Sequence, residues 1–157
     1  MDSVVIFLAS DLFIIVGLLV LLTWHSLSKG KKEEYLTAVL VGGLLGLLLA
    51  KVFDSLYYHP RPFMVDGVKP LIEHGYDNGF PSTHTVFVTT LSTVTFFYRR
   101  QIAYIAFAIS MLVGAGRVWA HVHSTVDIIG GIIAGLISGY AGFLVTKRIW
   151  QKRENKK

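Results

Sequence analysis

The sequence predicts an all-α fold: a polytopic membrane helix bundle of about five transmembrane helices, with the N-terminus outside and the C-terminus in the cytoplasm. Of the 157 residues, 53% are hydrophobic and only 16% are charged, and the mean hydropathy is +0.56. A soluble domain carries about 25% charged residues. Apolar runs also recur at the length of a bilayer span, and Lys and Arg collect in alternate connections.

Five apolar runs have the roughly 17 to 25 residues that a bilayer requires. They predict spans at residues 4–22, 36–58, 81–98, 102–119 and 126–149. We expect the first run to stay in the protein as a helix, because Asp2 stands where a signal peptide would have a positive charge. We predict a single integral membrane domain over 1–157.

The positions of Lys and Arg predict the orientation. Eleven of the 15 lie in alternate connections and in the tail 147–157, which we expect on the cytoplasmic side. They are Lys29, Lys31, Lys32, Arg99, Arg100, Lys147, Arg148, Lys152, Arg153, Lys156 and Lys157. The net charge of +5 is therefore explained by topology, and we expect no nucleic-acid partner. The oligomeric state is left open.

Small residues four apart allow close backbone approach between membrane helices. Gly42 and Gly46 form one such pair, and Gly131, Gly135 and Gly139 form a ladder in the last run. We interpret both sets as packing positions of a compact bundle.

Polar residues converge at the predicted outer end. The segment 59–80 has three prolines and three glycines, and a loop of this length is typical of function. The connection 116–127 holds Arg117, His121, His123 and Asp127. With no cysteine, chemistry must come from His, Asp, Arg, Lys and hydroxyl groups, because thiolate metal sites are excluded.

His123 and Asp127 are four residues apart, so on a helix they share a face. The carboxylate can then orient one imidazole nitrogen and leave the other as a nucleophile or base. His84 follows a Pro-Ser-Thr sequence that favours a helix start, where backbone N–H groups attract an anion. Arg61, Arg117 and Lys51 add positive charge suited to phosphoryl oxygens. The pattern predicts phosphoryl transfer.

These residues resemble the three-part signature of the type 2 phosphatidic acid phosphatases, kin to acid phosphatases and vanadium haloperoxidases. The matching segments are Lys51…Arg61-Pro62, Pro81-Ser82-Thr83-His84 and Gly116-Arg117-x5-His123-x3-Asp127, within a motif-bearing core at 51–142. The resemblance implies a nucleophilic His123 that forms a phosphohistidine, an orienting Asp127 and a proton-donating His84. It further implies that phosphate is bound by Lys51, Arg61, Ser82, Thr83 and Arg117, and that no metal or other cofactor is needed.

Within that family, the sequences around Arg61, His74 and His84 look most like the bacterial undecaprenyl-diphosphatases associated with bacitracin resistance. Lys51 and Arg61 are ten positions apart, where the family usually has seven. Gly116 replaces the usual Ser, and Thr83 the usual Gly. We expect a membrane lipid phosphate as substrate, the bilayer as partner, and an extracytoplasmic site in the cell membrane.

Several alternatives remain open at this point. The lipid could be phosphatidic acid or phosphatidylglycerophosphate. A small transporter, a non-catalytic lipid-phosphate-binding protein or a bis-histidine haem protein would also place such residues in a bundle. Arg61 and Arg117 could pair with loop acids, and Lys51 with Asp54. We expect the remaining histidines to be interfacial polar residues: His25, His59, His74 and His121.

Overall fold

A computed structural model describes residues 1–155, which form seven helices and no strand. The helices are α1 (Asp2–Ser10), α2 (Phe13–Ser26), α3 (Lys29–Leu56), α4 (Pro62–Val65), α5 (Thr83–Phe96), α6 (Arg100–Trp119) and α7 (Thr125–Glu154). The prediction of an all-α bundle is confirmed. Since α7 runs to Glu154, most of the predicted tail is helical; Lys156 and Lys157 lie outside the described residues.

The number of span-length helices is smaller than the five predicted. Within 1–155, only α3, α6 and α7 are long and apolar enough to cross a membrane individually. The pair α1 and α2 makes a fourth if counted as one span, but it is bent by 44°. The break falls at Asp11, which is exposed there. A carboxylate within an apolar span is costly, so an interruption at this residue is physically reasonable.

The predicted span 81–98 is the 14-residue helix α5, which lies in the centre of the bundle and packs against α2, α3, α6 and α7. Beyond its first turn its hydroxyl residues are buried, and several bond within the protein; Thr90, for example, bonds to Ser138 at 2.8 Å. A helix enclosed by other helices need not match the full thickness of the hydrocarbon, which explains why the apolar run does not become a long span.

Glycines hold α7 against its neighbours, as predicted. A Cβ atom on Gly135 or Gly139 would lie 2.6 Å from a threonine Cβ of α5, and one on Gly142 would lie 2.5 Å from Cα of Gly42 in α3. Side chains essentially never approach this closely. The helices α3, α5 and α7 therefore form a tight core that fixes the ends of all three.

The segment between α3 and α5 is tied to the bundle by the amide of Asn78. Its Nδ2 donates to the carbonyls of Asp54 and Tyr57, and its Oδ1 accepts from the backbone N–H groups of His59 and Phe80. All the hydrogen-bonding capacity of one side chain thus fixes how the loop leaves α3 and enters α5.

At the opposite end of the bundle, four residues form what we call the Glu34 cluster. Glu34 is 2% exposed. Its carboxylate accepts from Lys31 and Lys147 at 2.7 Å each, and from the Tyr98 hydroxyl at 3.3 Å. These contacts join α3 to α7 and to the end of α5.

Candidate active site

The site lies where the C-terminal ends of α3 and α6 meet the N-terminal ends of α5 and α7. Asp127, in the first turn of α7, is fully buried. Ser124 caps the helix by accepting from the Asp127 backbone N–H, and its own N–H donates to Asp127 Oδ2 at 2.7 Å. This reciprocal capping fixes the carboxylate at the start of the helix.

His123 precedes that cap and is 2% exposed. The chain reaches it through His121, whose φ of 60° turns the backbone sharply after α6, so that the His123 N–H bonds to the Arg117 carbonyl at 3.3 Å. His123 Nδ1 lies 3.4 Å from Asp127 Oδ2, within ion-pair distance, although the angle is not that of a hydrogen bond. The structure brings the two residues together, as their spacing predicts, but His123 lies before the start of α7 and its Nδ1 forms no hydrogen bond with the carboxylate.

The other ring nitrogen, His123 Nε2, lies 3.2 Å from Arg61 Nη1. A guanidinium can only donate, so Nε2 must carry the lone pair and Nδ1 the proton. Burial lowers the pKa of His123, as do the charges of Arg61 and Arg117, against the opposing effect of Asp127. The ring is therefore held neutral, with Nε2 in the form that a nucleophile requires.

His59 is a site residue that the sequence did not reveal. Its Nδ1 lies 2.9 Å from Asp127 Oδ1 and 3.3 Å from Ser124 Oγ. The interpretation of His59 as a merely interfacial residue was wrong. Because His59 and Asp127 are 68 residues apart, no periodic pattern could have linked them.

Arg61 spans the site with its guanidinium. Besides His123, it donates to the carbonyl of Val122 at 2.9 Å, to Asn78 O at 3.3 Å and to Asp77 at 2.8 Å. Arg61 therefore does pair with a loop acid, Asp77, as the alternative interpretation expects, but its guanidinium also contacts His123. Burial would raise the pKa of Asp77, but the hydrogen bond from Arg61 lowers it. The Asp77 side chain is 65% exposed, so this pair lies at the solvent rim.

Arg117 is 2% exposed and makes one hydrogen bond, from Nη1 to the carbonyl of Ala9 in α1 at 3.3 Å. Within residues 1–155, Nε and Nη2 have no partner. Gly116 lets α1 approach, since a Cβ on it would lie 2.8 Å from the Ala9 backbone nitrogen. The family's usual Ser would not fit beneath α1, which explains this departure.

The start of α5 contributes Ser82, Thr83 and His84. Ser82 is fully buried, accepts from the Thr85 hydroxyl and donates its N–H to the Asp127 carbonyl at 3.1 Å. Its hydroxyl does not cap the helix. The imidazole of His84 stands edge-on to Phe13, with ring centroids 5.6 Å apart, and lies close enough to Arg117 for the guanidinium charge to act on it.

A cleft of about 470 Å³ opens onto this constellation. Its walls include Lys51, Thr83, Arg61, His74 and His123. Lys51 is exposed there, and within residues 1–155 it forms no ion pair with Asp54. Ser82, His84, Asp127 and Arg117 do not line this cleft.

His74 also lines this cleft. Its ring lies edge-on to that of His123 at 5.9 Å, and its Nδ1 accepts from the Gly75 N–H at 3.1 Å. Burial and the charges of Arg61 and Arg117 lower the pKa of His74 to about 4. Because Nδ1 accepts the hydrogen bond from Gly75, a neutral His74 carries its proton on Nε2. The structure thus places His74 beside His123, a contact that the sequence did not reveal.

Together these groups place the His123 lone pair beside Arg61, in a site whose second guanidinium, that of Arg117, has N–H donors without a partner among the described residues. Such an arrangement suits attack on a phosphoryl group. Within residues 1–155, no three His, Cys, Asp or Glu side chains are grouped so that they could hold a metal ion. The prediction of metal-independent chemistry stays a prediction.

A family model described as the PAP2 superfamily matches residues 33–151, which include every predicted site residue. The chain belongs to the PAP2 superfamily. It is accordingly a membrane lipid phosphatase, a hydrolase of phosphoric esters.

Two curated relatives match this PAP2 protein over most of its length. Undecaprenyl-diphosphatase BcrC of Bacillus subtilis is 29% identical over 143 residues, which cover 91% of this chain and 74% of the relative. A protein of Bacillus licheniformis named bacitracin transport permease protein BcrC is 26% identical over 150 residues, covering 95% of this chain and 73% of the relative.

Two crystal structures share the fold. Aquifex aeolicus LpxE has a TM-score of 0.64 at 20% identity, covering 89% of this chain and 92% of that one. A PAP2-type phosphatidylglycerolphosphate phosphatase from Bacillus subtilis has a TM-score of 0.62 at 22% identity, covering 96% of this chain and 75% of that one. At these identities the likeness shows the fold alone.

Proposed function

We propose that this PAP2 protein hydrolyses undecaprenyl diphosphate to undecaprenyl phosphate and inorganic phosphate, through a phosphohistidine on His123, at the extracytoplasmic face of the cell membrane. The observation that carries the phosphate-binding site is Arg117. Two nitrogens of a buried guanidinium without a partner are costly, and an anion is the ligand that would satisfy them.

A lipid substrate is supported by the surroundings of the cleft. Leu47, Ala50 and Thr83 line both the cleft and an adjoining apolar groove between α3 and α5. A phosphate bound where Arg61 and His123 form the wall of the cleft would therefore leave a hydrocarbon tail beside a surface of matching chemistry. The name of the Bacillus subtilis relative favours a polyprenyl diphosphate over other lipid phosphates.

In the first step, His123 Nε2 attacks the terminal phosphorus. The P–N bond forms as the P–O bond to the lipid phosphate breaks, and His84 gives its proton to the leaving oxygen. Water then attacks the phosphohistidine, His84 takes a proton back, and inorganic phosphate departs. Asp127 stabilises the positive charge that the His123 ring carries in the intermediate.

The cations neutralise charge on the transferred phosphoryl group. Arg61 and Arg117 supply fixed N–H donors, while Lys51, Ser82, Thr83 and the first amides of α5 complete the cradle. In the ligand-free site, Arg61 donates to the lone pair of His123 Nε2. Binding of substrate must therefore exchange this acceptor for a phosphoryl oxygen, which frees the nucleophile at the moment when it is needed.

The substrate proposal is tested by phosphate release from purified protein in detergent. We expect undecaprenyl diphosphate to be turned over with the highest kcat/KM in a panel that includes undecaprenyl phosphate, phosphatidic acid and phosphatidylglycerophosphate. A higher value for either of the last two would transfer the assignment to that lipid.

The orientation is tested with single cysteines, since the chain has none of its own. We expect a cysteine at Gly67 to be labelled by an impermeant reagent in intact cells, and one at Ser28 to be protected. The reverse result would put the site in the cytoplasm.

A further inference from the structure

The carboxylate of Asp127 is held at both oxygens by different groups. Oδ2 accepts from the Ser124 N–H at 2.7 Å and faces His123, whereas Oδ1 faces His59 Nδ1 at 2.9 Å. Asp127 is fully buried, so an oxygen without a donor would be penalised strongly. His59 supplies the donor that the helix cap does not reach.

His59 is itself fixed from several sides. Its backbone N–H donates to Asn78 Oδ1, its carbonyl accepts from the Gly79 N–H, and both distances are 2.9 Å. Its ring is stacked on that of Tyr57, with centroids 5.9 Å apart. Gly79 leaves room for the contact: a Cβ there would lie 3.0 Å from both Asp127 Oδ2 and the His59 carbonyl.

We propose that His59 is a positioning residue: it donates Nδ1–H to Asp127 Oδ1 and thereby keeps Oδ2 directed at Nδ1 of His123. The inference rests on the proposed function, because it concerns the step in which His123 attacks phosphorus. Without His59 only the Ser124 N–H, among the described residues, holds the carboxylate, so rotation about the Cβ–Cγ bond is less restricted and the group that orients the His123 ring is less well fixed. In metal sites, hydrogen-bond partners that orient a functional histidine typically matter by about 10- to 100-fold, and we expect a similar range here.

The groups that contact the His59 ring are Asp127 in α7, Ser124 at the cap of α7 and Tyr57 at the end of α3. Asp127 is the charged member of this set. The hydrogen bond to its carboxylate is therefore the contact through which His59 acts on the nucleophile.

The experiment compares His59→Leu, which removes the donor, with His59→Asn, whose amide keeps an N–H near the position of Nδ1 and cannot become charged at the pH values used. His25→Leu is the matched control, because His25 lies in the last turn of α2, at the opposite end of the bundle from the site. With the lipid phosphate that wild type turns over, we expect His59→Leu to lose about 10- to 100-fold in kcat with KM within about twofold. His59→Asn should keep kcat within about threefold of wild type, because its amide still supplies the N–H donor.

Three results would overturn the proposal: an unchanged kcat in His59→Leu, an equal loss in both variants when both fold, or a rise in KM at constant kcat, which would make His59 a substrate-binding group. Thermal unfolding in detergent establishes folding. If His59→Leu does not fold, His59→Asn decides alone: kcat within about threefold of wild type supports the proposal, and a larger loss in the folded variant contradicts it. Failure of the proposed function looks different, since wild type would then release no phosphate from any lipid, or His123→Ala would stay active.

Discussion

The two ends of the bundle use buried charge in opposite ways. In the Glu34 cluster the buried carboxylate is matched by Lys31, Lys147 and the Tyr98 hydroxyl. At the site end Arg117 is equally buried, yet two of its nitrogens have no partner among the described residues. A buried charged side chain that has protein partners is typical of a structural contact. A buried charged side chain whose polar atoms have no protein partner is typical of a ligand site.

The two ends of the bundle should also respond differently to substitution. Removing a partner from the Glu34 cluster should weaken the joint between α3 and α7 and leave the chemistry alone. Removing a cation or an imidazole from the site should lower activity and leave the stability of the bundle nearly unchanged, because these groups contribute to the reaction more than to packing. The variants below test that separation in order of decreasing effect.

The largest effect is expected for His123→Ala. The lone pair of the neighbouring His74 is engaged by the Gly75 N–H, so turnover of every lipid phosphate should fall by about 10⁴-fold or more. Phosphate release under single-turnover conditions measures this, and His25→Ala is the control at the other end. Residual activity within 100-fold of wild type would mean that His123 is not the nucleophile.

His84→Ala should lower turnover of the lipid substrate by about 10²- to 10⁴-fold, since a general acid is typically worth that much. The loss should shrink with a nitrophenyl phosphate, whose leaving group needs no proton. The measurement is the slope of log kcat/KM against the pKa of the leaving group for wild type and variant. Parallel lines would assign His84 to phosphate binding only.

Arg117→Lys keeps the charge but loses the planar donors that lie unpaired in the site. We expect kcat/KM to fall by about 10²- to 10³-fold, as for removal of a preorganised oxyanion donor. Arg99→Lys is the matched control, because Arg99 bonds to Ser26 at the opposite end. Equal, small effects for both substitutions would show that the unpaired nitrogens of Arg117 serve no ligand.

Glu34→Gln should have the smallest effect on activity, within about twofold, but should lower the free energy of unfolding by about 1–2 kcal/mol. The value is modest because Lys31 and Lys147 are 49% and 36% exposed and thus screened by solvent. Thermal unfolding in detergent measures it, with the neighbouring exposed Glu33→Gln as control. A tenfold loss of activity in Glu34→Gln would contradict the separation of the two ends.

Short-range patterns in the sequence predicted much of this molecule. The length of the apolar runs predicted α3, α6 and α7, and the four-residue spacing predicted the proximity of His123 and Asp127. The glycine ladder predicted close helix packing. Each of these features depends on neighbours along one helix or on the composition of one segment.

What the sequence did not reveal depends on contacts between distant segments. His59 lies 68 residues from Asp127, and Arg117 is 108 residues from Ala9. The short length of α5 follows from its place inside the bundle, which no hydropathy window reports. The bend at Asp11 also needed the structure, because a lone acid in an apolar run is compatible with either a straight or a broken span.

The most direct test of the phosphoryl-transfer site is to trap the intermediate. Wild type mixed with lipid diphosphate is quenched into alkaline denaturant, where a phosphohistidine survives, and the peptide containing residue 123 is analysed by mass spectrometry. We predict a phosphorylated His123 in wild type, an increased amount of it in His84→Ala with a nitrophenyl phosphate, and none in His123→Ala. Phosphate found on another residue, or on none while turnover proceeds, would contradict covalent catalysis by His123.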